Sequence, residues 1–157
     1  MKTKKFAAIL ASILTVVALS GCSLSREVAS LDPYSPSDGV VSDIGALKVR
    51  NLMVIKGDGE QGVLIGSFVN STNDEVNGNI QILDEANNRT TYQFTVGAQQ
   101  KLDLGYGGND GLIIDVAEIP GSMYSLFISD GMNPAEVLVP VLDGSLEEYR
   151  PFAESLN

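Results

Sequence analysis

The chain has 157 residues, with ten basic and twenty acidic side chains, one cysteine, no histidine and no tryptophan. The excess of acid argues against nucleic-acid binding, which requires a basic patch, and against electrostatic adhesion to anionic lipid. The absence of histidine excludes His-based catalytic triads and removes the commonest zinc and copper ligand.

Residues 1–21 have the features of a bacterial export signal. Three lysines within the first five residues precede an apolar stretch over 6–19. That stretch is shorter than the roughly 18 to 20 apolar residues that a membrane-spanning helix needs. A basic start, a short apolar middle and small residues at the end are typical of a leader that is removed from the mature protein.

The leader ends in the tetrapeptide Leu19-Ser20-Gly21-Cys22, which matches the bacterial lipobox. This pattern predicts cleavage between Gly21 and Cys22 and lipidation of the Cys22 thiol, for which palmitate is a typical acyl chain. Two acyl chains give stable anchoring where one gives only reversible binding. We therefore expect a lipoprotein held on the extracytoplasmic face of the cell membrane. Without its three leader lysines, the mature chain has seven basic against twenty acidic residues, a net charge of −13.

The mature chain divides by composition into a tether, one domain and a tail. Residues 22–39 are rich in serine and proline and predict a flexible tether. Residues 40–150 consist of short apolar runs separated by Gly, Asp, Asn and Pro, which predicts strands. Residues 151–157 predict a polar C-terminal tail, and 145–149 a turn of helix before it.

Seven or eight strands are predicted in the domain, of which 100–106 has the weakest pattern: 44–55, 63–70, 79–85, 90–96, 100–106, 111–119, 123–129 and 136–142. Alternation on both sides of an Asn-containing turn predicts a hairpin between the third and fourth. Pro140 predicts an edge strand or a bulge, because proline cannot donate to a strand ladder. The even spacing favours an all-β fold, an antiparallel β-sandwich of immunoglobulin-like or cupredoxin-like type, with a small closed barrel as the alternative.

Three stretches carry a resemblance to a known family: KVRNLMVI (48–55), GVLIGSFVN (62–70) and VPVLDGSLEEY (139–149). Together with the lipobox and the tether, they resemble the LpqE-type lipoproteins of actinobacteria. Those are distantly similar to the periplasmic copper chaperones of PCu(A)C type, which are cupredoxin-like sandwiches. The resemblance implies the same fold over most of 40–150. It also implies a His/Met site for Cu(I), of which this chain lacks every histidine.

Methionine is the remaining soft ligand for copper. Met53 and Met123 lie in strand-like runs typical of core packing, and Met132 lies in a turn. A copper site in this chain would use Met132 with another methionine, for which Met123 is the candidate. Calcium is the other candidate ion, since the loops 57–60 and 70–75 are rich in carboxylate and amide oxygens. The same residues are also those that tight turns use.

The glycine-rich stretch at 105–111 lacks the lysine and the strand-to-helix context of a phosphate-binding loop, and it predicts a loop between strands. No residue set suggests an active site. We expect a non-enzymatic lipoprotein without a required cofactor, which binds an unknown envelope protein partner through a sheet edge or end loops. A metal-handling lipoprotein is the alternative, and a hydrolase that uses paired carboxylates is the third hypothesis.

Overall fold

A computed structural model of the chain describes residues 34–83 and 88–156. The predicted leader, the cleavage position at Gly21, the lipidation site Cys22 and most of the tether lie outside these residues. The elements are β1 (Val40–Ile44), β2 (Leu47–Lys56), β3 (Gln61–Asn70), β4 (Val76–Leu83), β5 (Arg89–Val96), β6 (Lys101–Leu104), β7 (Leu112–Asp115), β8 (Met123–Ser129), β9 (Pro134–Leu142) and the helix α1 (Arg150–Glu154). Within the described ranges, no helix combines the length and the apolar content needed to span a bilayer.

The strands form one curled sheet in the order β5-β4-β8-β9-β2-β3-β6, with β1 paired to β2 and β7 paired to β3. The curl places the β5-β4-β8-β9 half over the half that holds β1, β2, β3, β6 and β7. All neighbouring strands are antiparallel except β2 and β9, which pair in parallel at Val54↔Val141 and Ile55↔Leu142. This short parallel pairing joins the two halves along one side of the sandwich.

The main core fills the space between the two halves. Its large, fully buried members include Leu47, Leu64, Phe68, Leu126 and Ile128. On β8, buried and half-buried positions alternate from Tyr124 to Ser129, as expected for a strand with one face on a core. The prediction of an all-β, sandwich-like fold is therefore confirmed. The sheet is mixed rather than wholly antiparallel, because of the β2–β9 pairing.

Some predicted strands differ from the structure. The predicted strand 44–55 joins the last residue of β1 to β2, whereas Gly45 turns the chain between them with a φ of +54°. The predicted strand 111–119 ends at Asp115. Pro140 does not lie on an outermost strand, since β9 runs between β8 and β2. However, β9 pairs with β2 only at Val141 and Leu142. On its β2 side, β9 therefore has no ladder partner at Pro140. The lack of an N–H group on proline thus leaves no ladder hydrogen bond unmade.

The predicted polar tail differs from what the structure places there. Tyr149 is buried, and Phe152 and Leu156 are half-buried against the outer face of β2 and β3. There they cover Met53 and Ile65, so that both faces of these strands are enclosed. The helix begins at Arg150, one residue after the predicted helical turn ends, and carries proline in its first turn, a favourable position.

A buried carboxylate holds two turns together. Asp130 follows β8, and its side chain accepts hydrogen bonds from the backbone N–H groups of Ala46 (3.0 Å), Met132 (3.0 Å) and Asn133 (2.7 Å). A Cβ on Gly45 would collide with this carboxylate. Burial alone would raise the pKa of Asp130, but the backbone donors outweigh it and hold that pKa well below its usual range.

Candidate functional site

The sandwich has an open side opposite the β2–β9 pairing. Among the described residues, β5 pairs only with β4, and β6 and β7 pair only with β3. These three strands are therefore edges, and β5 approaches β6 across the opening. Between them lies an apolar cleft with a volume of about 360 Å³.

The walls of the cleft are carbon-rich and uncharged. Its floor is formed by the buried side chains of Phe68 and Ile80. The other lining residues are Thr91, Tyr92, Gln93 and Phe94 from β5, Leu102 and Leu104 from β6, and Leu112 from β7. The aromatic and leucine side chains among them are only half-buried, although they pack on the core. The cleft thus exposes apolar surface that the fold itself leaves uncovered.

Local sequence explains the shape of this opening. Phe94 lies opposite Gly78 in the β4–β5 ladder, and a Cβ on Gly78 would lie only 2.6 Å from the Phe94 Cζ atom. The missing side chain therefore gives the Phe94 ring the room in which it lies. The ring tilts onto Phe68, with their centroids 4.5 Å apart. This contact joins β5 to the floor of the cleft.

A larger hollow of about 510 Å³ lies at one end of the sandwich, between the β2–β3 turn and α1. Charged groups of both signs line it: Lys56, Asp58, Asp143, Arg150 and Glu154. The Lys56 ammonium already donates to the backbone carbonyl of Val116. The Ser145 hydroxyl and its backbone N–H lower the pKa of Asp143, whereas a general acid needs a raised pKa. These features favour a solvated surface over a catalytic site.

Two further carboxylates lie near the buried Tyr124. Its hydroxyl donates to the backbone carbonyl of Asp115 at 3.2 Å. Burial, followed by the charges of Glu118 and Asp115, raises the pKa of Tyr124 to about 12. Neither carboxylate lines the cleft. The arrangement thus places neither acid in the cleft.

The structure does not bring the two candidate copper ligands together. Met123 is the first residue of β8, and Met132 lies in the turn beyond its other end. The seven residues of this strand separate them by about 20 Å, at about 3.3 Å per residue. One ion cannot contact both sulfur atoms of the same chain. Met53 is fully buried beneath α1, as expected for a core residue.

The oxygen-rich loops are also separated, since 57–60 and 70–75 lie at opposite ends of β3. In the second loop, the buried Asn70 uses its amide to donate to the carbonyls of Asp74, Val96 and Gly97. Its side-chain oxygen accepts from the Thr72 N–H and hydroxyl. This is turn chemistry. In the described ranges, no three carboxylate or thiol groups lie close enough to hold one metal ion.

The glycine-rich stretch forms the connection from β6 to β7, as predicted. Gly105 has a φ of +76°, and a Cβ there would lie 2.5 Å from the Ile65 Cγ2 atom. The stretch therefore allows the chain to turn closely over β3. It places Leu104 and Leu112, at its two ends, on the same wall of the cleft.

Sequence reasoning missed the cleft residues. Tyr92 and Phe94 alternate with polar residues, but the same alternation is typical of any strand with one face on a core.

No protein-family model matches the chain, and the search of curated proteins also finds no match. The resemblance to LpqE-type lipoproteins stays a prediction.

Proposed function

We propose that this chain is a lipid-anchored lipoprotein of the bacterial cell envelope and a non-enzymatic binding module, whose binding site is the apolar cleft between β5 and β6–β7. The lipobox at residues 19–22 supports the anchor and the extracytoplasmic location. The cleft supports binding rather than catalysis, because no ionisable acid, base or nucleophile of catalytic type lines it apart from the Tyr92 and Thr91 hydroxyls.

The observation that carries the proposal is the half-exposed apolar surface of the cleft on a strongly acidic chain. Burying apolar surface is worth roughly 25 cal/mol per Å². Ligand pockets are concave and mostly apolar, with volumes of about 300–1,000 Å³, and the cleft lies within that range. A ligand with an apolar body would therefore gain free energy by covering Tyr92, Phe94 and the leucines.

The test is titration with N-phenylnaphthylamine, a neutral apolar dye whose fluorescence rises on leaving water. We expect saturable binding to the mature chain carrying Cys22→Ser, which keeps it soluble without its anchor. Leu112→Trp should weaken binding about tenfold or more, the equivalent of about 1.4 kcal/mol of lost apolar contact, because the larger ring fills the cleft.

Ile113→Trp is the matched control. Ile113 is the next residue on β7, half-exposed on the opposite face, so this variant should bind like the parent. Circular dichroism and thermal unfolding verify that each variant folds, and Leu102→Gln replaces Leu112→Trp if the latter does not. Absence of saturable binding to the parent, or equal loss in the cleft variant and in Ile113→Trp, would refute the proposed site.

A further inference from the structure

We infer that the cleft binds a single acyl chain of a membrane lipid, an inference that rests on the proposed function. The walls of the cleft are built mainly from Leu, Ile, Phe and Tyr side chains, and the polar groups among the lining residues are those of Thr91 and Gln93 and the Tyr92 hydroxyl. Such a lining offers contact area to a hydrocarbon. It offers no cation for a phosphate or a carboxylate.

The dimensions of the cleft fit a narrow, flexible ligand. Along β5 it extends from Thr91 to Phe94, about 10 Å of strand at about 3.3 Å per residue. A helix with its side chains is about 10–12 Å in diameter, which is as wide as this stretch of the cleft is long, so the cleft could cover only a small part of a helix. An acyl chain is thinner and can bend to follow the floor over Phe68 and Ile80.

A peptide strand added to the edge of β5 would use the cleft poorly. Strand addition satisfies main-chain groups along the edge and extends the sheet outwards. The apolar surface, however, lies inside the opening, on the face of β5 that carries Tyr92 and Phe94. An added strand would leave this recess unfilled, whereas a hydrocarbon entering between β5 and β6 would fill it.

The charges beside the opening of the cleft indicate that the protein does not recognise the head group of the lipid. The nearest cation on β6, Lys101, has its ammonium 2.6 Å from the Asp103 carboxylate. The mature chain carries a net charge of −13, which disfavours an anionic head group in general. The hydrocarbon therefore provides the affinity, and the head group stays in water.

The source of the acyl chain is a separate membrane lipid rather than the anchor on Cys22. Stable anchoring needs two lipid signals in the bilayer. If one chain of the anchor moved into the cleft, the protein would lose part of the attachment that the lipobox predicts. A separate lipid in the same membrane leaves the anchor intact.

The test is a chain-length series on the Cys22→Ser mature chain. Fatty acids from octanoate to palmitate, held below their aggregation limits, would displace N-phenylnaphthylamine. We expect Kd to fall about fourfold for each added methylene, the equivalent of about 0.8 kcal/mol, until the cleft is full. Fatty alcohols of equal length should bind within a few-fold of the acids. In Leu112→Trp, Kd should stop falling at a shorter chain length than in the parent. In Ile113→Trp, Kd should stop falling at the same chain length as in the parent.

The outcomes separate the inference from the proposed function. If the dye binds but affinity does not depend on chain length, the acyl inference is wrong and the apolar site stands. If neither the dye nor any fatty acid binds, both are wrong. Lipidated protein in nanodiscs whose phospholipids carry a photo-crosslinking acyl chain identifies the source. Crosslinks from these phospholipids to cleft residues support a separate lipid, whereas a cleft that excludes the dye but gains no such crosslinks would show that the anchor occupies it.

Discussion

Replacing Cys22 by serine is expected to abolish lipidation and to release the protein from the membrane fraction of a bacterial host. Only a thiol can take the diacylglyceryl group, and the chain has no other cysteine. Two acyl chains give stable anchoring, whereas the variant has no acyl chain to anchor it. Its release from the membrane should therefore be nearly complete rather than partial. Metabolic labelling with an alkyne analogue of palmitate, followed by fractionation, measures both consequences.

Ser23→Ala is the matched control, since it alters the adjacent residue outside the lipobox and should leave labelling and fractionation unchanged. Intact-mass analysis of the parent protein should show a chain that begins at Cys22 and carries added acyl mass. A parent protein with its leader still attached, or with an unmodified thiol, would contradict the proposed location.

Among single substitutions of turn residues, Asp130→Ala should cause the largest loss of domain stability. The carboxylate is only 8% exposed, and its removal leaves the backbone N–H groups of Ala46, Met132 and Asn133 without their acceptor. Hydrogen bonds to a charged group are worth about 1.5–3 kcal/mol, and stranded buried donors add cost. We expect the free energy of unfolding to fall by about 3 kcal/mol, a large part of the roughly 5–15 kcal/mol that holds a domain folded.

Urea denaturation at neutral pH measures this loss, and Asp143→Ala is its control. Asp143 also accepts from a backbone N–H in a turn, that of Ser145 at 3.0 Å, but it is exposed and water can replace the bond. Its substitution should change stability little. Equal losses in the two variants would show that the buried network around Asp130 has no special role.

The pH dependence of the same variant has a definite sign. The folded pKa of Asp130 lies below its unfolded value. Its contribution is therefore fully present above the ordinary Asp range, near 3.8, and is lost as pH falls through the folded pKa. The parent should lose more stability than Asp130→Ala between about pH 5 and pH 2, so that the two unfolding curves converge in acid.

Sequence reasoning located most strands because their ends are marked locally. The strand predicted at 123–129 is observed as Met123–Ser129, and the one at 63–70 as Gln61–Asn70. In both cases Gly, Asp or Asn lies at or beyond the end of the apolar run, and these residues favour turns wherever the chain folds. The hairpin of β4 and β5 is confirmed by the pairing of Leu83 with Arg89.

The side chains that line the cleft could not be separated from the core by sequence. Tyr92 and Leu126 occupy equivalent inward positions on their strands, but only the latter is fully covered. The difference arises because β8 is flanked by two strands and β5 by one. Strand order depends on pairings such as Val54↔Val141, which join residues far apart in sequence and have no local signal.

The same limit explains the methionines and the C-terminal segment. Met123 and Met132 are close in sequence, but an extended strand between them places them at opposite ends of the sandwich. Phe152 and Leu156 are isolated large apolar residues in a short segment that also contains Glu154, Ser155 and Asn157, which suggests a tail. They pack because β2 and β3 are apolar on both faces, and the C-terminal segment covers the second face together with Tyr106 and Leu142.

The most direct test of the binding site is methyl NMR of the Cys22→Ser mature chain during titration with a fatty acid such as laurate. We expect shifts for the methyl groups that line the cleft, those of Ile80, Leu102, Leu104 and Leu112. The methyl groups of Ile113 and Leu138, which are exposed elsewhere, should stay in place. Shifts confined to those outer residues, or spread evenly over the domain, would contradict the cleft as the site where this protein binds its ligand.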